Sequence, residues 1–316
     1  MEQPIRIALL GGDCRQISMA RQLGAEGFAV TVWGLGSPGE TILPAVVAPT
    51  WQEAIKDAVA VVLPLPVTSD GVRLRCPLAG EGEPLRLDTL LGEMGDRLLL
   101  GGRMEEPLRA AADRLWIRWL DYYESEELQL KNALLTAEGA ISVAMERLPV
   151  ALHGCSAAVI GYGRIGSLLS DLLAALGASV TVYARREESL TLARLRRHRG
   201  IRLATGEGDT FPATDPLSYR VLFNTVPHRL LTPAVLARLP KSCLLVDLAS
   251  APGGWDWKDA SALGLSGVWA TALPGKYASE SAGIYLAETV SRLLRTAAAS
   301  PKYLRLPDDI LTERTD

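Results

Sequence analysis

The chain is short of the residues that build metal centres and disulfide frameworks. Its 316 residues include only 3 His and 4 Cys. Cys14, Cys76, Cys155 and Cys243 are widely spaced, with no C-x-x-C pair. No metal site is expected from so few soft ligands, and the cysteines read as reduced thiols of a cytoplasmic protein. A formal net charge of −3 gives no reason to expect nucleic acid or an anionic membrane as partner. Asp, Arg or Pro interrupts every apolar run before it reaches the length of a membrane span. Met1-Glu2-Gln3-Pro4-Ile5-Arg6 reads as the approach to a strand and not as a signal peptide. Low-complexity segments and short-period repeats are absent too.

What is present is a globular composition, 48% hydrophobic and 22% charged, in a chain long enough for two domains. Strands are expected at 5–10, 28–33, 59–63, 97–100 and 116–120. Helices are expected at 17–26, 84–94 and 105–115. That alternation predicts a parallel sheet covered on both faces, so 1–122 reads as one flavodoxin- or Rossmann-like α/β domain. Residues 125–147 carry apolar residues at helical spacing and read as a connecting helix within 123–153, with a break admitted near Leu135-Thr136. A second α/β unit occupies 154–277, with later strands at 201–204, 221–224, 244–248 and 267–270. Thr232-Pro233 reads as an N-cap with proline in the first helical position. A last apolar helix, about 278–299, is long enough to return to the first domain, and 300–316 reads as a polar surface tail. The fold class is therefore α/β, two doubly wound parallel sheets joined by long helices around a cleft.

The chemistry starts at Ala157-Ala158-Val159-Ile160-Gly161-Tyr162-Gly163-Arg164-Ile165-Gly166. A buried strand, G-Y-G-R-I-G and an apolar helix make the context that a dinucleotide-binding loop requires. Gly161 would make the tight turn, Gly163 would admit the pyrophosphate, and Gly166 would let the helix lie close to the sheet. Free N–H groups at the helix start then face phosphate. A purely structural strand–helix turn is the plain alternative. The next strand ends in Ala184-Arg185-Arg186 and offers no carboxylate for a ribose 2′-OH. Arginine suits a 2′-phosphate, so NADP is expected over NAD, unless both guanidiniums pair with Glu187 and Glu188. Asn224-Thr225-Val226-Pro227 reads as a loop over the nicotinamide ribose. Ala249 and Ser250, after Asp247, are candidates on the nicotinamide or substrate side.

Other loops offer polar groups to a substrate. Gly11-Gly12-Asp13-Cys14-Arg15-Gln16 lacks the full glycine pattern, and Asp13 would repel phosphate. Arg15 either anchors a substrate carboxylate or pairs with Asp13 and shapes the loop. Lys276 in Leu273-Pro274-Gly275-Lys276 either meets a carboxylate or is simply solvated. Asn132 and Thr136 stand one helical turn apart and share a face. Gly139 costs its helix about 1 kcal/mol relative to Ala, which suggests close approach of a neighbour or a ligand. No catalytic residue is assigned. His153 precedes a strand, His198 falls in an Arg-rich stretch read as helical, and His228 follows Pro227.

Together, Gly-Gly-Asp-x-Arg-Gln at 11–16, Asn-Ala-x-x-Thr-Ala-Glu-Gly at 132–139, G-Y-G-R-I-G at 161–166, Asn-Thr-Val-Pro at 224–227, Asp-Leu-Ala-Ser-x-Pro-Gly-Gly at 247–254 and Leu-Pro-Gly-Lys at 273–276 resemble the dipicolinate synthase A chain family. Leu135 stands where that pattern would have proline, and Arg103 matches nothing in it. The resemblance implies NADP-dependent oxidation of dihydrodipicolinate in the mother cell of a sporulating bacterium. It also implies a partner, the flavoprotein-like second subunit that forms the B component of dipicolinate synthase. A homodimer is compatible with the chain but not required by it. Two alternatives compete: a D-2-hydroxyacid-dehydrogenase-like enzyme, which needs a His–carboxylate pair, and an NADP-binding regulatory protein without turnover.

Overall fold

A computed structural model of the chain describes residues 4–36, 42–80, 84–204 and 211–299. The predicted tail at 300–316 lies outside the described residues. Those described fall into two compact units: one runs to Gln129 and resumes at Ser279, and the other is Leu130–Ala278.

The first unit runs β1 (Arg6–Leu10), α1 (Cys14–Ala25), β2 (Ala29–Trp33), β3 (Val46–Val47), α2 (Trp51–Ile55), β4 (Ala60–Val62), α3 (Leu87–Gly92), β5 (Leu98–Gly101), α4 (Glu106–Arg114) and β6 (Trp119–Asp121). The long helix α5 (Glu126–Arg147) follows. Its strands lie in the order β3-β2-β1-β4-β5-β6, all parallel. The second unit continues with β7 (Ser156–Ile160), α6 (Arg164–Ala175), β8 (Ser179–Ala184), α7 (Glu187–Leu195), β9 (Arg199–Arg202), β10 (Val221–Asn224), α8 (Pro233–Leu236), β11 (Leu244–Asp247), α9 (Trp257–Ala262), β12 (Ser266–Trp269) and α10 (Leu273–Tyr277). Its sheet repeats the order as β9-β8-β7-β10-β11-β12. Both are the 3-2-1-4-5-6 Rossmann arrangement, so the flavodoxin order is not the one found. Central strands β4, β5, β10 and β11 are buried at every residue, as parallel strands covered on both faces must be.

Each sheet carries apolar clusters on both sides. In the first unit, α11 (Ser279–Ala299) supplies Leu286, Ala287, Val290 and Leu294 to the cluster that holds Met19 and Leu23 of α1. Gly283 permits this approach: a Cβ there would lie 2.5 Å from the Ser18 Cβ. The last helix thus packs within the first compact unit. In the second unit, Ala137, Ala140 and Ala144 of α5 join Val159, Leu169 and Leu173. The glycine in that helix is explained by a neighbour, because a Cβ on Gly139 would lie 2.9 Å from Leu273 Cβ.

Several expectations need correction. Helix α1 starts at Cys14, three residues early, because Asp13 and Gln16 form a capping box. Strand β6 starts only at Trp119, since Trp116 adopts φ +56° just beyond α4 and stands exposed. Helix α5 is unbroken through Leu135-Thr136. The Arg-rich stretch around His198 is not helical there. α7 ends at Leu195, and β9 begins at Arg199 opposite Thr181 of β8. Among the described residues no helix is long and apolar enough to cross a membrane.

Candidate functional site

The loop between β7 and α6 has the geometry its three glycines predict. Gly161 takes φ +92°, the left-handed region that glycine enters most cheaply. A Cβ on Gly161 would strike the Thr225 hydroxyl and lie 2.9 Å from Val226 Cγ2. On Gly166 it would fall on the Gly161 carbonyl oxygen, so that glycine sets how closely the helix meets the turn. Gly163 is different. Its φ is −91°, and a Cβ would meet no atom within 4 Å. Nothing in the fold requires glycine there; the space beside its backbone is open. Gly163 is also the N-cap of the twelve-residue α6 and provides no side-chain cap. The first-turn N–H groups are thus offered to an acceptor from outside, as a phosphate cradle demands.

A cavity of about 260 Å³ opens on this turn. Gly161, Tyr162 and Gly163 form one wall, Ala184, Arg185 and Arg186 another, and Thr225, Val226 and Pro227 a third. Tyr183, Ser189, Leu203 and Leu230 complete it. Those four were not legible in advance, because strand-end and helix-start positions acquire a role only when β8, β9 and the 225–230 loop meet. Arg164, Ile165, Gly166, Asn224 and Ala249 do not line the cavity. Tyr162 offers it no hydroxyl: that oxygen is buried, and the ring lies T-shaped to that of His198 with centroids 6.3 Å apart. Arg185 and Arg186 are exposed, and neither makes an ion pair among the described residues. Glu187 pairs with Arg194 instead, at 2.6 Å.

Two buried side chains hold the cavity walls in shape. Asn224 is fully buried. Its amide donates to Val226 O at 2.9 Å and to Asp247 Oδ1 at 2.8 Å, and its carbonyl accepts from Val226 N at 3.1 Å. It therefore positions the 225–227 loop from beneath. Asp247 also accepts from Ala249 N at 3.1 Å and Gly254 N at 2.7 Å. Burial pushes its carboxyl above the usual range against these bonds. Ala249 is occupied as well, its carbonyl accepting from Trp269 Nε1 at 2.8 Å. Behind the cavity, Tyr183 donates to Asp215 and shares a 2.8 Å bond with Tyr219, which ties the 211–219 segment to β8.

The substrate-side candidates fare unevenly. Arg15 is buried, and its guanidinium grips Asp13 through Nε at 2.8 Å and Nη2 at 2.9 Å. Nη2 also reaches Leu65 O at 2.5 Å. Arg75 completes the group with a 2.9 Å bond to Asp13. Burial opposes the Asp13 charge, but the two guanidiniums win and hold its carboxyl down to about 2. Arg15 is thus committed to shaping the loop. Thr136 spends its hydroxyl on Asn132 O, one turn back, at 2.8 Å. Ser250 and Lys276 are exposed. His198 does have a carboxylate, Asp171 at 2.9 Å, which also holds Arg196 at 2.6 Å. That pair is lodged between α6 and the turn before β9, away from the cavity lining. His228 is exposed beside Pro227.

Residues 6–123 match the family of the dipicolinate synthase A chain N-terminal domain. Residues 132–252 match the D-isomer specific 2-hydroxyacid dehydrogenase, NAD binding domain family. The dipicolinate synthase A chain of Bacillus subtilis (strain 168) is 29% identical, over 92% of this chain and 96% of that one. The crystal structure of dipicolinate synthase, A chain, from Bacillus subtilis has a TM-score of 0.78 at 27% identity, covering 94% of this chain and 97% of that one. The crystal structure of its counterpart from Bacillus halodurans has a TM-score of 0.79 at 25% identity, covering 92% and 97%. The second unit is therefore an NAD(P)-binding domain of dehydrogenase type, which supports an oxidoreductase.

Proposed function

The chain is a homologue of the dipicolinate synthase A chain, and on that premise we propose that it oxidises dihydrodipicolinate to dipicolinate with NADP. The observation that carries the redox half of this reading is the open space beside Gly163 at an uncapped helix start. Bound NADP would supply the hydride acceptor. The N–H groups of Arg164, Ile165 and Gly166 would hold the pyrophosphate, and Arg185 and Arg186 the 2′-phosphate. Thr225, Val226 and Pro227 would bear on the nicotinamide side, kept in place by Asn224. The protein's main task is to fix the ring of its substrate, because aromatisation supplies driving force. Loss of one hydride and one proton balances the reaction, and water takes the proton. Ser250 and Lys276 stay candidates for the substrate. The same reading takes a flavoprotein-like second subunit as the proposed partner and the mother cell of a sporulating bacterium as the proposed setting. We assign the cofactor to the second unit and the substrate side to the first with α11.

The test incubates the full chain, with and without the flavoprotein-like subunit, with NADP and enzymatically generated dihydrodipicolinate. Ultraviolet absorbance of dipicolinate should appear. NADP should bind about tenfold or more tightly than NAD, and replacing both Arg185 and Arg186 by Ala should erase that preference. Tighter NAD binding would overturn the cofactor choice. Cofactor binding with no product under either condition would favour a regulatory protein.

A further inference from the structure

Three loops at the carboxyl end of the first unit's sheet are stitched into one surface, and an arginine with no assigned role stands on it. Gly12 N donates to Arg75 O at 2.8 Å, Arg75 N to Val67 O at 2.9 Å, and Val67 N to Gly102 O at 3.2 Å. Gly102 N returns to Pro64 O at 3.2 Å. The backbone of Val67 thus joins the Arg75 loop on one side and the Gly101-Gly102-Arg103 turn on the other. Two such spacings put those backbones roughly 10 Å apart, within reach of two long side chains converging on one small ring.

Arg103 takes φ +57°, a conformation that glycine would adopt at less cost. Its backbone is held there from below. Asp121 accepts from Arg103 N at 2.9 Å and from Met104 N at 2.7 Å, and is paired with Arg109 at 2.8 Å. Arg109 also takes Glu124. The guanidinium of Arg103 is exposed and has no partner among the described residues. Arg75 keeps 24% of its side chain open while one nitrogen holds Asp13. Arg15 and Arg75 share a single carboxylate, which leaves a surplus positive charge, and Arg103 adds a second. Open sheets of this kind take ligands beyond the carboxyl ends of their strands.

We propose that Arg103 and Arg75 form the site that receives a carboxylate-bearing ring substrate, with Arg15 and Asp13 holding Arg75 in position. This rests on the dicarboxylate reading above and moves the cationic anchor from Arg15 to Arg103. The strained backbone supplies a test in which stability and binding move in opposite directions. The full chain is titrated calorimetrically with dipicolinate, with picolinate and with oxaloacetate, and separately with NADP. Wild type, Arg103→Gln, Arg103→Lys, Arg103→Gly and Arg75→Gln are compared.

Arg103→Gln should weaken dipicolinate binding about ten- to a hundredfold, the range for losing a charged hydrogen bond. Its NADP affinity should be unchanged, and Arg103→Lys should recover part of the loss. Arg103→Gly should melt at a higher temperature than wild type and still bind dipicolinate poorly. Picolinate should bind more weakly than dipicolinate to wild type and lose less in Arg103→Gln. If dipicolinate binds equally to wild type, Arg103→Gln and Arg103→Gly, the site is refuted and the proposed reaction is untouched. If only oxaloacetate binds, and Arg103→Gln abolishes it, Arg103 receives a carboxylate, but the ring-substrate site and the dipicolinate reaction both fail. If no carboxylate binds wild type, the site is refuted.

Discussion

Gly163 and Gly166 are both glycines of one motif, yet they answer to different constraints. Gly166→Ala would drive a methyl into the Gly161 carbonyl, which can yield only by moving backbone. It should cost about 1–3 kcal/mol in urea denaturation, as overpacking does. Gly163→Ala meets nothing in the protein. Its urea midpoint should stay within about 0.5 kcal/mol of wild type, while NADP affinity falls tenfold or more by fluorescence titration. Equal NADP affinity in Gly163→Ala would show that the open space is not the ligand's. The turn and its three glycines were legible in the sequence because strand, glycines and helix are contiguous. Arg15 was less legible: an anchor and a loop-shaping residue have the same one-letter pattern. Only Arg75, sixty residues on, decides it by closing on the same carboxylate.

Asp13 carries a second prediction at this scale. Its ordinary value of 3.8 falls to about 2 in the folded chain. A lowered carboxyl stabilises the fold above its unfolded value and loses that contribution as pH falls through its folded value. The loss, about 2 kcal/mol, should therefore appear between pH 4 and pH 2. Arg15 and Arg75 both donate to it, so Asp13→Asn should be destabilised at pH 7 and lack that acid step in a urea series. An unchanged step would remove Asp13 from the account.

Among elements, the loop after β10 depends on a side chain that never reaches the cavity. Asn224→Ala removes the acceptor of Val226 N and one donor to buried Asp247. It should cost about 1–3 kcal/mol and weaken NADP and NAD alike. A change in the ratio of the two cofactors would instead place Asn224 in direct contact with them. The sequence showed β10 and its polar end, but not that the polar group turns inward. Burial of Asn224 follows from Asp247 on the next strand, in register with it. Short elements escaped for a related reason. β3 has only two residues and α2 five, too few for any periodicity to register. The start of β9 was hidden in an Arg-rich run, because none of its four residues is buried and no apolar alternation marks it.

Taken as a whole, the molecule keeps its binding motif and its arginine-bearing loops in different compact units, each with its own clusters. NADP at a hundred times its dissociation constant adds about 2.7 kcal/mol to whatever binds it. Hydrogen exchange should slow in β7, the glycine turn and β8, with the α1–α11 pair unaffected. Equal slowing in α1 would show that the cofactor also stabilises the first unit. The doubly wound plan was readable from alternating strands and helices. The length of the last helix was readable from the sequence, but its partner surface on α1 was not.

The first unit is assembled from stretches that leave the ribosome far apart. Its sheet is complete at Asp121, and α11 begins at Ser279. At about 5–20 residues per second, roughly 8–30 s of synthesis separate them. Throughout that interval Met19 and Leu23 lack the helix that will cover them, whereas Leu130–Ala278 emerge as one uninterrupted run. The unit encoded in the middle of the chain is therefore expected to fold first. The one begun earliest waits for the last helix, and a ribosome-bound intermediate would hold a finished cofactor domain and a first sheet still lacking its α11 cover.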